Sequence, residues 1–317
     1  MKTRLLSLAL ALAAGATASS ADAQAWIRDP GSVYVNLGYR VIRADNFYAP
    51  NGDTVPFGGE DGYRQHSLAL YAELGIVDRW LMATLDGEIF RRNVIPDQGA
   101  TSGIGDLRVG LWTGLLEGPV NLSFGVLVGI PTGDPVPQGN TQEQTFIANL
   151  LPTGDGEVDV TPTFAFGHGF RWRRVNQFVQ ASVGYAIRTT PREAPAPDNV
   201  DTLPPEVRSQ FAARDIRDQF VYRLETGIRV DRPVLDRFWF IIRFSGQVTV
   251  QGRDEGFVPR QGAAGLGDAA EFHAVGFETL LDIYGGFGMG FGVDGAFAAR
   301  NVPAAAAYKL SLTYEIR

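Results

Sequence analysis

The sequence predicts an all-β fold, namely a transmembrane antiparallel up-and-down β-barrel of about twelve strands. Apolar residues alternate with small or polar residues through successive segments of roughly ten residues, the length of a tilted membrane strand. The connections between these segments alternate between short and long, and no helical periodicity of any length follows Gln24. A barrel with short periplasmic turns and long extracellular loops produces this order.

The stretch 103–134 shows the alternation most clearly. From Leu107 to Leu115 the odd-numbered residues are apolar apart from one threonine, whereas the even-numbered residues are Arg, Gly and Trp. A Glu-Gly-Pro turn follows at 117–119, and the alternation resumes from Val120 to Ile130, which predicts a hairpin. The residues of the less apolar face are mostly small and include few charges, unlike those of the solvent-exposed face of a soluble β-sandwich. This composition favours a confined lumen.

Other segments alternate in the same way and predict the remaining strands. With the hairpin they give roughly twelve strands, an even number, as closed single-chain barrels have when both termini lie on one side. Their apolar faces fall within 33–41, 68–74, 81–89, 158–166, 179–187, 220–228, 238–244, 275–281, 287–297 and 308–316.

The connections between the predicted strands support the same topology because their lengths alternate. In a soluble sandwich, short and long loops are not expected to lie at opposite ends, whereas in a membrane barrel they are. Predicted short turns lie at 76–79, 116–119, 169–174, 231–237 and 284–286, and predicted long loops at 43–62, 91–102, 131–156, 189–215 and 251–270, with an intermediate connection at 301–305.

The overall composition excludes several classes of function. The formal net charge of −7 disfavours a nucleic-acid partner. The chain has no cysteine, so it has no disulfide framework, no thiolate metal site and no cysteine nucleophile. A mean hydropathy of −0.04 is compatible with a membrane barrel, since only alternate strand residues face lipid.

The first residues predict export. Lys2 and Arg4 precede an apolar run at 5–16, and Ala21-Asp22-Ala23 places small residues where a signal peptidase cuts. We therefore expect a signal peptide at 1–23, cleaved after Ala23, and an outer-membrane barrel at 24–317. An uncleaved anchor is disfavoured because the run is shorter than the roughly twenty residues of a spanning helix. The partners expected for such a chain are outer-membrane lipid and the outer-membrane assembly machinery.

Two motifs resemble a known family of exported barrels. Gly-Ile-Gly-Asp-Leu at 103–107 begins a strand and Pro-Thr-Gly-Asp at 131–134 follows a strand, as in the outer-membrane family named for the MetA pathway of phenol degradation. The segment 74–80 also resembles that family's turn between its second and third strands. The resemblance implies a Gram-negative outer-membrane barrel that passes small apolar or aromatic compounds. It implies no catalytic residues, and the final Tyr-Glu-Ile-Arg at 314–317 departs from the aromatic C-terminus usual in such barrels.

Charged residues on the predicted inner face are the candidate residues of a path for solute. Charges there are costly unless they are paired or hydrated, so the alternative is a set of ion pairs that braces the wall. Mixed signs disfavour a strongly ion-selective pore. The candidates are Arg40, Glu73, Asp86, Glu88, Asp106, Arg108, Arg223, Glu225, Arg229, Arg243, Glu278 and Asp294.

The longest predicted loop, 189–215, contains a candidate gate. Residues Pro205, Arg208, Phe211 and Arg214 belong to a stretch that reads as a short helix with proline at its start. Such a helix could fold over the mouth of the barrel or into it. A flexible external loop fits the same composition equally well.

Features typical of enzymes and metal sites have simpler explanations here. His66, His168 and His273 show no metal-ligand spacing, and His66 and Ser67 point to opposite faces of a strand. The glycines of 285–292 lack the lysine and the following helix of a phosphate site, and the acidic residues near the repeated Pro-Thr-Gly-Asp match no complete calcium loop. We therefore predict no catalytic residue, metal or cofactor.

Three functions remain open from the sequence. The first is passive uptake of small, aromatic or hydrophobic solutes through a narrow polar lumen. The second is a non-transporting structural or surface-binding barrel whose loops contact a partner. The third, a barrel enzyme that acts on lipid through His66 or His168, is the least supported because no nucleophile and base are placed together.

Overall fold

The computed structural model describes residues 24–49, 51–57, 62–96, 99–135, 151–172, 175–189, 217–230, 238–250 and 270–316. The predicted signal peptide at 1–23 and the candidate gate residues Pro205, Arg208, Phe211 and Arg214 lie outside these ranges. Among the residues described, none forms a helix long and apolar enough to cross a membrane.

Sixteen strands make up the described fold, and twelve of them form the barrel. The twelve barrel strands are the long ones, of ten to fifteen residues each, and the other four (β2, β3, β6 and β15) are short. In chain order the strands are β1 Val33–Ala44, β2 Asn46–Tyr48, β3 Thr54–Pro56, β4 Tyr63–Val77, β5 Leu81–Ile95, β6 Gly99–Gly103, β7 Leu107–Leu116, β8 Asn121–Ile130, β9 Asp159–Trp172, β10 Val175–Arg188, β11 Gln219–Val230, β12 Phe238–Thr249, β13 Glu271–Tyr284, β14 Phe287–Arg300, β15 Val302–Pro303 and β16 Ala307–Ile316.

The barrel closes between its first and last strands. Round the ring the order is β1, β4, β5, β7 to β14 and β16, and every adjacent pair is antiparallel. Strand β16 then pairs with β1 in a continuous register from Val33 opposite Ile316 to Ile42 opposite Ala307. Closure leaves no edge strand with unpaired backbone groups, which is the condition for a sheet to lie in hydrocarbon. The predicted closed barrel of about twelve antiparallel strands is confirmed.

The two faces of the wall differ as the alternation predicts. On β7 the outward Leu111 is 53% exposed, whereas the adjacent inward Trp112 is 1% exposed. Similarly, Leu310 and Leu312 of β16 are 56% and 60% exposed. The apolar side chains therefore do not meet one another across two packed sheets. They form an outer surface suited to lipid.

Short and long connections lie at opposite ends of the barrel. The β4–β5, β7–β8, β9–β10, β11–β12 and β13–β14 connections are short. The long connections lie at the other end. There β2, β3 and β15 form a separate three-stranded sheet, and β6 pairs antiparallel with the last five residues of β5. We call these the periplasmic and extracellular ends, following the usual arrangement of outer-membrane barrels.

Candidate functional site in the barrel lumen

A buried network of charges crosses the inner wall from β11 to β14. Arg223 and Arg243 both contact Glu225, at 2.6 Å and 3.0 Å, and Arg243 also contacts Glu278 at 2.8 Å. Arg243 is the centre of this network because its guanidinium group reaches carboxylates on three strands, including Asp294 at 3.6 Å. Each buried charge is thereby balanced by an opposite charge, which offsets part of its desolvation cost.

A second group lies on β1 and β5. Glu88 accepts a hydrogen bond from Arg40 and one from Arg91, the latter at 3.2 Å. Arg91 also donates to Asn93 at 3.3 Å, and Asn93 accepts a hydrogen bond from the buried hydroxyl of Tyr63 at 2.9 Å. These contacts link the inward side chains of β1, β4 and β5 near the extracellular end of the barrel.

A third group lies on β7, β9 and β10 and in the segment that precedes β9. Arg188 of β10 contacts Glu157 at 2.5 Å and Asp155 at 3.9 Å. Arg108 of β7 lies 3.6 Å from Asp159 of β9. Three carboxyl groups share two arginines here, so the carboxyl groups also act on one another.

The two Pro-Thr-Gly-Asp segments form a clasp built on Asp106. Its carboxylate accepts hydrogen bonds from the backbone N–H of Gly133 at 2.9 Å and of Asp155 at 2.5 Å. Thr153 binds Asp134 twice, through its N–H at 2.9 Å and through its hydroxyl, which accepts the Asp134 N–H at 2.9 Å. The repeated Pro-Thr-Gly-Asp segments therefore lie at the two ends of one long loop, and both are bound to Asp106, the residue that immediately precedes β7.

The clasp directs residues 151–157 into the extracellular end of the lumen. Leu151 is fully buried against Ile42 of β1 and Ala307 of β16, which lie across the ring from the strands β8 and β9 that the loop connects. The carbonyl of Pro152 accepts a hydrogen bond from Asn93 at 2.7 Å. This end of the lumen is consequently narrowed by a loop and not by side chains of the wall alone.

Residues 24–32 narrow the lumen at the periplasmic end, and we call them the N-terminal plug. Arg28 donates to Glu73 of β4 and, at 3.1 Å, to Glu315 of β16. On the other side, the hydroxyl of Ser123 of β8 donates to the carbonyl of Gln24 at 2.6 Å. The plug thus spans the interior between widely separated strands.

Apolar contacts hold the plug in place. Ala25 packs in a buried cluster with Met82, Trp112 and Ala165. A side chain at Gly167 would approach Ala25 and the Trp26 ring to 2.6 Å, so this position of the wall accommodates the plug only as glycine.

An aromatic series continues from the plug along the inner wall. The Trp26 ring lies edge-on to Phe178 at 6.3 Å, and Phe178 lies edge-on to Trp239 at 5.6 Å. Arg229 lies over the Trp239 ring at 5.8 Å. Arg229 therefore belongs to the support of the plug and not to the open part of the lumen.

A cavity of about 320 Å³ lies between the loop and the plug. Eight of the twelve candidate residues line it, and the other four are Glu73, which is bound to the plug, Arg229, and Glu225 and Glu278 of the ion-pair network. The eight are Arg40, Asp86, Glu88, Asp106, Arg108, Arg223, Arg243 and Asp294.

Several residues of the site were not among the sequence candidates. Arg91, Arg188, Asp155 and Glu157 also line the cavity, and Arg28 holds the plug. Arg188 keeps the inward parity of β10, so a parity count carried to the end of that strand finds it. Arg91 could not be found in this way, because a bulge beside Glu88 leaves Ile89 and Phe90 both exposed and turns Arg91 to the inner face. No periodicity marks Asp155, Glu157 or Arg28, because they lie outside regular strands.

Two carboxyl groups at the clasp have altered acidity. Burial, together with the neighbouring Asp155, raises the pKa of Asp106 to about 6. Burial and repulsion by Asp155 and Asp159 outweigh the contact with Arg188 and raise the pKa of Glu157 to about 8. Both groups therefore titrate near neutral pH.

The histidines lie apart from one another and from the lumen. Nδ1 of His66 is 2.7 Å from the Tyr39 hydroxyl, Nδ1 of His273 is 2.5 Å from the Tyr222 hydroxyl, and His168 contacts a backbone carbonyl. No group of three or more His, Asp or Glu side chains within the described ranges is arranged to hold a metal ion.

The fold resembles solved outer-membrane barrels. The COG4313 outer membrane channel from Pseudomonas putida F1 superimposes with a TM-score of 0.60 over 91% of this chain and 97% of that one, at 14% identity. The chain shares the fold of that barrel. The β domain of the Bordetella autotransporter BrkA matches less well, with a TM-score of 0.47 over 91% of this chain and 100% of that one at 11% identity. No family model and no curated protein sequence matches the chain.

Removal of the N-terminal plug is expected to widen the lumen. The chain produced without residues 1–32 should give a higher single-channel conductance in planar bilayers than the chain produced without residues 1–23. Arg28→Gln, which removes the charge that binds Glu73 and Glu315, should raise the frequency of opening and leave the closed conductance unchanged. Equal conductance of the two chains, with both shown to be folded, would contradict a role of the plug in narrowing the lumen.

The raised pKa of Glu157 predicts a stability that falls with rising pH. The folded protein holds a proton on Glu157 up to a pKa of about 8, whereas the unfolded chain loses it near the ordinary value of 4.5. The folded state therefore binds more protons between these values, and unfolding becomes easier as pH rises through this window. Glu157→Gln keeps an acceptor for Arg188 and should reduce the change in unfolding free energy between pH 5 and pH 8.5 by on the order of 4 kcal/mol. Urea titrations of the vesicle-reconstituted wild type and variant at pH 5 and pH 8.5 measure this change. An equal change in unfolding free energy between the two pH values in both proteins would refute the raised pKa of Glu157.

Proposed function

We propose that the chain is an outer-membrane channel through which small solutes pass passively along a narrow polar lumen. The observation that carries the proposal is a cavity of about 320 Å³, lined mainly by charged and hydroxyl side chains, inside a closed barrel whose outer face is apolar. A twelve-stranded barrel has a wider interior than the side-chain-filled eight-stranded kind, and this cavity leaves room for a small solute. The similarity in fold to a channel from Pseudomonas putida supports the same proposal.

The solute class follows from two considerations together. The family resemblance in the sequence implies aromatic or hydrophobic compounds. The lining favours solutes with polar groups, since a purely apolar molecule would have to desolvate the more exposed charges of the lining, Arg108 and Asp294. Small aromatic solutes that carry a charged or hydroxyl group satisfy both requirements.

Solute flux through the reconstituted protein tests this proposal. Proteoliposomes should swell in small sugars and in salts of small aromatic acids, and the rate should fall steeply with solute size because the bore of a twelve-stranded barrel is narrow. The control is the same protein unfolded by heat before reconstitution. A barrel that is folded, as shown by faster gel migration before boiling than after it, but gives neither swelling nor conductance would contradict the proposal.

A non-transporting barrel is the second candidate, and one observation favours it. The N-terminal plug and residues 151–157 narrow the two ends of the lumen, so the cavity lies between two constrictions. In this alternative the loops bind a partner and the lumen stays closed. Absence of flux both in the intact protein and after removal of the plug would support it over the channel.

A further inference from the structure

The outer surface of the barrel carries a compact group of arginines at its extracellular end. Arg43 of β1, Arg64 of β4 and Arg92 of β5 lie on three adjacent strands and are all exposed. Arg43 lies directly opposite Arg64, and Arg92 lies directly opposite His66 on β4. We call Arg43, Arg64 and Arg92 the outer arginine cluster.

The outer arginine cluster lies at the upper edge of the apolar belt. Val33 begins the outward apolar row of β1, and Arg43 comes ten residues later, after Val41. Ten residues span about 34 Å along a strand, and a tilt of roughly 35–45° reduces this to about 25 Å, the height of the apolar band of such barrels. The guanidinium groups are therefore at the level of the lipid headgroups.

Side chains next to the cluster mark the same boundary. The Tyr39 hydroxyl contacts His66 at 2.7 Å, and the two rings are stacked at 6.1 Å, directly below the arginines. Tyrosine of this kind is typical of the interface between hydrocarbon and water. Arg64 and His66 are two residues apart on β4, and Arg43 and Arg92 lie opposite them on the two neighbouring strands, so the three arginines occupy one small area.

The cluster is a local feature of the rim. At four other strand ends of the extracellular side, the outward side chains Ile130, Val160, Ile187 and Phe220 are apolar.

We propose that the outer arginine cluster binds the phosphate groups of a lipid in the outer leaflet of the membrane. The planar guanidinium group donates two parallel hydrogen bonds to a phosphate, which a lysine cannot do. The position at headgroup level selects a phosphate attached to a lipid, since acyl chains would then lie along the apolar row below. The site is separate from the lumen and does not depend on the proposed channel function.

Binding of bisphosphorylated lipid A to the purified full-length barrel tests the proposal. The double variant Arg43→Gln/Arg92→Gln removes two charges of the cluster. Its matched control, Arg79→Gln/Arg171→Gln, removes two exposed arginines at the periplasmic end. Native mass spectrometry from detergent measures the bound lipid, and heat-dependent gel migration confirms that each variant is folded. A parallel series uses lipid A from which both phosphates have been removed.

We expect the wild type and the periplasmic control to bind bisphosphorylated lipid A about tenfold or more tightly than the dephosphorylated lipid, the difference expected for charge-assisted hydrogen bonds. The cluster variant should lose that preference and keep its weak binding of the dephosphorylated lipid. Equal losses in the two variants, or no preference for phosphate in the wild type, would overturn the proposal. Displacement of the lipid by inorganic phosphate at similar concentration would instead assign the site to a free anion.

Discussion

Backbone hydrogen bonding is the constraint on which this structure depends. A strand in hydrocarbon has no water to satisfy its N–H and C=O groups, so each group must pair with another strand. The chain meets this requirement by joining β16 to β1 along ten residue pairs, which converts a long sheet into a ring. Once the ring is closed, the alternation of side chains assigns one face to lipid and the other to a confined interior. The exposed leucines of β7 and β16 and the buried charges of β11 and β12 follow from this single condition.

The interior shows how a bore of this size is filled. Paired charges centred on Arg243 and Glu88 brace the wall, while the N-terminal plug and residues 151–157 occupy the two ends. Asp106 is central to the extracellular end because one carboxylate fixes both ends of a long loop. The cavity that remains is bounded partly by segments outside the strands.

The sequence predicted the barrel well because its signal is local. Alternation at Leu107 to Leu115, for example, needs no knowledge of distant residues, and the hairpin at 117–119 joins strands that are neighbours in the chain. The same parity placed Arg223, Arg243 and Glu225 on the inner face. Partners across the lumen could not be predicted in this way. The contacts of Arg28 with Glu73 and Glu315, and of Leu151 with β1, join parts of the chain far apart in sequence and have no periodicity.

The most direct test of the account is the environment of alternate residues along one strand. The chain lacks cysteine, so single cysteines can be introduced through 107–115 of β7 and spin-labelled in the reconstituted protein. Collision with oxygen, which concentrates in hydrocarbon, should be high at the odd-numbered positions and low at the even-numbered ones, and a water-soluble nickel chelate should not reach the odd-numbered labels. Oxygen and nickel accessibility without a period of two, or odd-numbered labels open to the chelate, would contradict the assignment of this face to lipid.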